Sequence, residues 1–180
     1  MHDVPLDCQT VNFWLPTPMA PVLHQVTFSV RLRPKGWTRA SPFLKGGRLI
    51  VSKNQGDRDW QAYFREEFIR KMSHQQLLGL FPWSGPVIMQ NFFLYLPPKN
   101  WWPGKEKVTT PDDDNLAKQV ADALSPKAKG GFGAYEDDRQ IIARTTMKLY
   151  HTKGDAVITS LYLLETVDKP RKRKNGPSKT

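Results

Sequence analysis

Pro111-Asp112-Asp113-Asp114-Asn115-Leu116-Ala117-Lys118 is the stretch from which the fold can be read in both directions. Short acidic and amide side chains stand immediately before an apolar run, which is how a helix starts, and the segment predicts a helix over about 114–124. Upstream, residues 97–111 read as a loop. Before Pro97, the run Val87-Ile88-Met89 and Phe92-Phe93-Leu94-Tyr95-Leu96 predicts a strand over 86–96, buried on both faces. Residues 57–78 place Trp60, Phe64, Phe68 and Met72 four apart, with Asp57 and Asp59 at the start and Arg70 and Lys71 near the end, the pattern of an amphipathic helix. Over 22–32, Val26, Phe28, Val30 and Leu32 alternate with Thr27, Ser29 and Arg31, a half-buried strand. Downstream, 141–151 and 156–167 read as two strands joined around Lys153-Gly154-Asp155, a hairpin signal. The order strand, helix, strand, helix, strand, strand predicts one α+β domain, a mixed β-sheet flanked by helices.

Two flanking segments complete the expected organisation. Residues 1–21 carry four prolines and no Lys or Arg and predict an extended arm; residues 168–180, basic and without an apolar anchor, predict a disordered tail. The folded body is expected over 22–167. The single Cys8 excludes an internal disulfide, and the first twenty residues lack the charge and apolar run of a secretion signal. No stretch is apolar for the length of a membrane span. A cytoplasmic protein is expected.

Charge points to the partner. Lys and Arg number 27 against 17 Asp and Glu, a net charge of +10, which favours polyanions through phosphate neutralisation. Against that background the carboxylates of the Pro111 segment and of Tyr135-Glu136-Asp137-Asp138-Arg139-Gln140 are dense. If the residues before the helix are extended, Asp112 and Asp114 point the same way and Asp113 away. Within the helix, Asp114, Lys118 and Asp122 are four apart and share a face. Hard divalent cations prefer carboxylate oxygen, water and substrate phosphate, so Asp112 and Asp114, with Asp138 brought from the loop before the third strand, form a candidate Mg²⁺ set. Lys118 is the candidate for stabilising charge on the phosphate. The same residues also read as helix punctuation: Asp113 or Asp114 as cap, Asp112 at the positive helix end, and Lys118 paired to Asp114 or Asp122. A Ca²⁺-binding loop is the weaker reading, because the spaced aspartates and distal Glu of an EF-hand are missing.

The wider pattern, Pro-Asp-x-Asp-Asn-Leu-x-Lys, then Asp122-Ala123-Leu124, then Asp137-Asp138-x-Gln140 ahead of a strand, resembles the RusA family of Holliday junction resolvases, found in bacteria and their phages. The resemblance implies a homodimeric endonuclease dependent on Mg²⁺, with Mn²⁺ as an alternative, that cuts two strands of a four-way DNA junction symmetrically. It implies catalytic roles for Asp112, Asp114, Asp138 and Lys118, with the three aspartates as metal ligands. Asp122 and Gln140 match motif positions and are expected to support the site. The chain departs from the pattern in three places: Asp113 adds a carboxylate, Pro111 stands where some members carry a basic residue, and the connection 125–135 is longer than usual. Asp137 is the alternative third ligand.

Expected DNA contacts are Arg33, Lys35, Arg39, Lys45 and Arg48 in the Pro- and Gly-broken stretch after the first strand. Lys105 and Lys107, beside Trp101 and Trp102, and Lys127 and Lys129 in the long connection complete the set. Trp101 and Trp102 read either as stacking platforms for splayed bases or as packing residues. The scattered histidines give no zinc site, and Gly130-Gly131-Phe132-Gly133 lacks the Lys-Ser/Thr of a nucleotide-binding loop. The rival reading is a branched-DNA or single-strand-binding protein without catalysis. A basic interaction module that ignores DNA is the third.

Overall fold

The apolar run at 86–96 forms the centre of the sheet. In the computed structural model, which describes residues 21–38, 42–46, 48–51, 55–72, 80–103, 107, 109–126 and 133–166, with 42–45 and 48–51 described by their backbone alone, it is strand Val87–Tyr95. Numbered in chain order, the elements are β1 (Val22–Val30), β2 (Pro42–Lys45), β3 (Arg48–Val51), α1 (Gln55–Lys71), β4 (Val87–Tyr95), α2 (Asp113–Leu124), a single 3₁₀ turn (Asp138–Gln140), β5 (Ile141–Tyr150) and β6 (Ala156–Leu164). The four-stranded sheet runs β1-β6-β4-β5. β6 is antiparallel to both β1 and β4, whereas β5 is parallel to β4, so the sheet is mixed as the sequence predicts.

The predicted pairing of the last two strands is wrong. β4 lies between β5 and β6, and its end fills the mouth of the turn around Gly154. His151 N–H donates to the Tyr95 carbonyl at 2.8 Å, and Leu96 N–H donates to the Asp155 carboxylate at 2.6 Å. Burial explains the arrangement. β4 and β6 carry apolar side chains on both faces and take the interior positions, while β5, rich in Arg, Thr and Lys, tolerates the solvated edge.

A second correction concerns the stretch after β1, expected to be loop throughout. Part of it is the hairpin β2–β3, with Lys45 opposite Arg48 and Gly46 at φ 57°, a left-handed turn position that suits glycine. β1 ends at Val30 rather than residue 32, since Arg33-Pro34 turns the chain away, and β6 ends at Leu164. The part of the expected first helix beyond Met72 lies outside the described residues, as do the predicted arm and tail.

Both helices cover one face of the sheet. Phe64 and Phe68 of α1 pack on Phe28 of β1, the latter with ring centroids 4.8 Å apart, and Trp60 stacks on Phe64. Leu116, Val120 and Leu124 of α2 join the same core. The helices are also tied by a buried polar link: Gln61 donates to Gln119 at 3.0 Å, and Gln119 donates to the Asp57 carbonyl at 3.3 Å. α2 is thereby fixed along β5, with its N-terminal acidic turn near the sheet edge.

Candidate active site

The chain is extended at Asp112 (φ −67°, ψ 152°) and helical from Asp113 onward. Strand alternation therefore does not govern the acidic run, and the prediction that Asp112 and Asp114 share a direction for that reason is replaced by helical spacing. Asp112 occupies the cap position, yet its side chain makes no capping hydrogen bond and is exposed. Asp113 is exposed as well. Asp114, Lys118 and Asp122, one turn apart, line a cavity of about 230 Å³ together with Asp138, Ile141 and Arg144. Lys118 is 3.8 Å from the Asp122 carboxylate, and its ammonium lies 5.3 Å from the centroid of the Trp37 ring. A half-exposed cation is thus held in place between a carboxylate and an aromatic face.

Asp138 reaches this cavity through a pinned return of the chain. Ala134 N–H donates to the Leu124 carbonyl at 2.8 Å, and Trp83 and residues 134–136 then exchange two backbone hydrogen bonds. Tyr135, fully buried, donates from its hydroxyl to the carbonyl of Ala121, a residue that lines the cavity, at 2.8 Å. Burial pushes its phenol far above the ordinary range, and the charges of Asp138 and Asp122 add to the effect. Gln140 donates to the Trp83 and Gly85 carbonyls, both at 2.8 Å, and accepts from Asp137 N–H. The neighbouring aspartates differ in their surroundings. Asp137 caps the 3₁₀ turn and is held by the Arg139 guanidinium at 2.7 and 2.9 Å, which keeps its carboxyl well below the usual range. Asp138 lines the cavity; Asp137 does not.

The upstream side of the motif is anchored twice. Trp37 N–H donates to the Asn115 carbonyl at 3.0 Å, and Gly36 lies so close that a Cβ there would sit 2.5 Å from Pro111 Cβ. From the other side, Lys148 on β5 donates to the Thr109 and Pro111 carbonyls, each at 3.2 Å. The Thr110–Pro111 peptide between them is cis.

Of the expected DNA contacts, Arg33 is exposed and Lys107 half-buried, on the same side of the motif. Lys35 has an internal partner: its ammonium is 2.9 Å from the buried Asp57 carboxylate, which also accepts from Thr38 N–H. Lys45 and Arg48 face each other across the β2–β3 turn. Arg39, Lys105, Lys127 and Lys129 lie outside the described residues. Trp101 packs edge-on against Tyr150 with centroids 6.2 Å apart, and Trp102 is 59 % exposed. The sequence reading missed Arg144, Trp37 and Lys148. The period-2 pattern of β5, which puts Arg144 and Lys148 on the helix-covered face, was the one signal for those two, and Trp37 had none.

Residues 33–159, more than half of the chain, match the family model described as Endodeoxyribonuclease RusA. The chain belongs to the RusA family of endodeoxyribonucleases. No curated protein matches it. RusA membership makes the protein an endodeoxyribonuclease of the Holliday-junction-resolving kind, acting on branched DNA in recombination. No described helix is long and apolar enough to cross a membrane.

The cavity's donors fit the metal chemistry expected of its motif. They are carboxylates, with an ammonium and a guanidinium beside them and no soft ligand, the set preferred by Mg²⁺ over thiophilic metals. Among the described residues no three His, Cys, Asp or Glu side chains are grouped closely enough to hold an ion by themselves. Mg²⁺ asks for less, since one or two carboxylates with water and substrate phosphate complete its shell.

Proposed function

We propose that this protein is a Mg²⁺-dependent resolvase that hydrolyses phosphodiesters in two opposed strands of a four-way junction, acting as a homodimer in the cytoplasm of a bacterial or phage-infected cell. The observation that carries the reading is the convergence of Asp114, Lys118, Asp122, Asp138 and Arg144 on one cavity, in a chain of net charge +10.

Asp114 and Asp138 are the residues that would hold the cation, with Asp112 beside them at the helix start; Mn²⁺ would serve as well. When bound, the metal supplies an activated water and neutralises charge at the phosphate. The protein's own groups do the rest. Lys118 places an ammonium at the cavity wall, where developing negative charge on the phosphoryl oxygens would meet it. Asp122, paired with that ammonium at 3.8 Å, sets its position. Arg144 offers a planar two-donor fork from β5 to a phosphate oxygen. Twofold symmetry of a dimer would set two such cavities on opposed strands.

The test is cleavage of an end-labelled mobile four-way junction with Mg²⁺, comparing wild type with Asp114→Asn. Paired symmetric nicks, lost in the variant while junction binding persists, are expected. Junctions left uncut by wild type across several sequences, with tight binding, would replace this reading by a non-catalytic junction binder.

A further inference from the structure

A second pocket, further along β5 from the carboxylate cavity, has a composition that phosphodiester hydrolysis does not call upon. Arg33, Tyr95, Leu96, Lys107, Tyr150 and Asp155 line it, and it encloses about 390 Å³, within the ~300–1,000 Å³ of small-molecule sites. Among the described residues neither Arg33 nor Lys107 has a carboxylate at ion-pair distance. Lys107 lies 4.8 Å from the centroid of the Tyr95 ring. Its ammonium is easier to deprotonate than usual because it is partly buried and faces the like charges of Lys148 and Arg33. Tyr95 is 6 % exposed, and among the described residues its hydroxyl finds no hydrogen-bond partner. Asp155 accepts from Leu96 N–H through one carboxylate oxygen. Tyr150 is steadied from behind by Trp101. The pocket therefore combines uncompensated cations, an aromatic wall and a carboxylate acceptor.

Its place in the molecule narrows the ligand. Lys107 donates to the carbonyls of Thr109 and Thr110, at 3.2 and 2.9 Å, and to the Thr109 hydroxyl, so that its three donors hold the same segment that Lys148 holds from β5 and only its charge faces the pocket. That segment runs straight into Asp112, and the five residues from Lys107 to Asp112 span at most about 18 Å. A strand whose phosphate lies in the carboxylate cavity passes this pocket within a few nucleotides. A paired and stacked base cannot offer its face to a protein side chain, whereas a base at a branch point is already partly unstacked and is the least costly to splay out.

We infer that this pocket receives one unpaired nucleotide of the bound DNA strand, with its phosphate against Arg33 and within the field of the Lys107 charge, its base against Tyr150, and a base amino group facing Asp155. The inference rests on DNA being the ligand, as proposed above. It gives the protein a local means of telling branched from continuous duplex DNA.

The test uses the full chain without cleavage, in Ca²⁺ or EDTA, and measures binding by fluorescence anisotropy. The probes are a short labelled single strand and a blunt duplex of the same sequence. Two variants are compared: Tyr150→Ala, which removes the stacking face, and Leu96→Glu, which adds charge at a position that is 59 % exposed and therefore spares the fold. About tenfold weaker binding of the single strand by either variant, with duplex binding changed less than about twofold, is expected. Equal losses on both probes, or no loss on either with melting temperatures unchanged, would overturn the inference. Displacement of the single strand by free deoxyadenosine monophosphate at comparable concentration would assign the pocket to a free nucleotide instead. A protein that fails to cut junctions yet shows the selective loss would keep this pocket and remove the hydrolytic reading.

Discussion

Lys148, on the edge strand β5, donates to the carbonyl oxygen of Pro111 at 3.2 Å and so holds the residue that precedes the acidic motif. The contact carries no catalytic chemistry but sets where Asp112 starts. Lys148→Met keeps the aliphatic stem and removes the donor. Junction cleavage is expected to fall by about tenfold to a hundredfold, as for small displacements of reacting groups, with junction affinity within about threefold of wild type. Single-turnover cleavage at saturating enzyme measures the first, and a binding isotherm in Ca²⁺ the second.

Gly36 faces Pro111 on the opposite side, and a Cβ there would meet Pro111 Cβ at 2.5 Å and Cγ at 3.3 Å. The added methyl would push the Trp37 loop away from the motif, and Trp37 with it from Lys118. Gly36→Ala is expected to cost about 1–3 kcal/mol, the range for overpacking. Thermal unfolding reads the loss, and a similar or larger drop in cleavage would accompany it. An unchanged melting temperature would mean that the loop yields without strain.

Gln140 and Asp137 carry the third carboxylate in different ways. Gln140→Leu leaves the Trp83 and Gly85 carbonyls and the Asp137 N–H without that side chain, a cost of about 1–3 kcal/mol for each group that stays dry. Its expected signature is a higher Mg²⁺ requirement for cleavage as well as a lower melting temperature. Asp137→Asn keeps an acceptor for Arg139 N–H and is expected to retain most activity, whereas Asp138→Asn abolishes it. Titration of cleavage against Mg²⁺ for the three variants separates these roles.

Arg144 is expected to act on the reaction more than on affinity. Arg144→Ala should lower cleavage by about tenfold to a hundredfold, comparable to losing one preorganised donor, while Arg144→Lys restores part of it. Parallel losses in binding and cutting would reduce Arg144 to a general phosphate contact.

The phenol of Tyr95 is pushed up to about 12, first by burial and then by the Asp155 charge. Because the folded value lies above the ordinary 10.0, the folded state holds this proton more tightly than the unfolded chain. The associated stability is complete below the unfolded value and drains away between about pH 10 and 12. Alkaline unfolding followed for wild type and Tyr95→Phe should show a smaller loss in the variant across that window.

What could be read from the chain beforehand depended on how local the cause was. The helix at Asp113–Leu124 and the central strand at Val87–Tyr95 follow from caps, spacing and continuous apolar runs, and both were found within a residue or so. The family motif likewise lies in three short runs of neighbouring residues. The misreadings involve competition between distant segments. Gly154 does make a turn, but a turn signal cannot say that β4, far upstream and more apolar, will displace one strand of the hairpin. Lys35 was counted as a surface charge because Asp57, its buried partner, lies beyond a hairpin that the density of basic residues obscured. Arg144 and Lys148 sit on an edge strand with no motif of their own, and only the sheet register places them against the acidic helix.

The link from Leu124 to Ala134 has a consequence for how this chain tolerates change. Ala134 N–H meets the Leu124 carbonyl at 2.8 Å, and Gly133 packs so tightly on Pro126 that a Cβ would lie 2.5 Å from its Cδ. With both ends clamped, the residues joining Pro126 to Gly133 do not decide where Asp138 comes to rest. Lengthening them costs little closure entropy, about 0.6 kcal/mol for each doubling. This connection is therefore a place where sequence can drift, grow or accept a grafted peptide while the two halves of the acidic site stay in register.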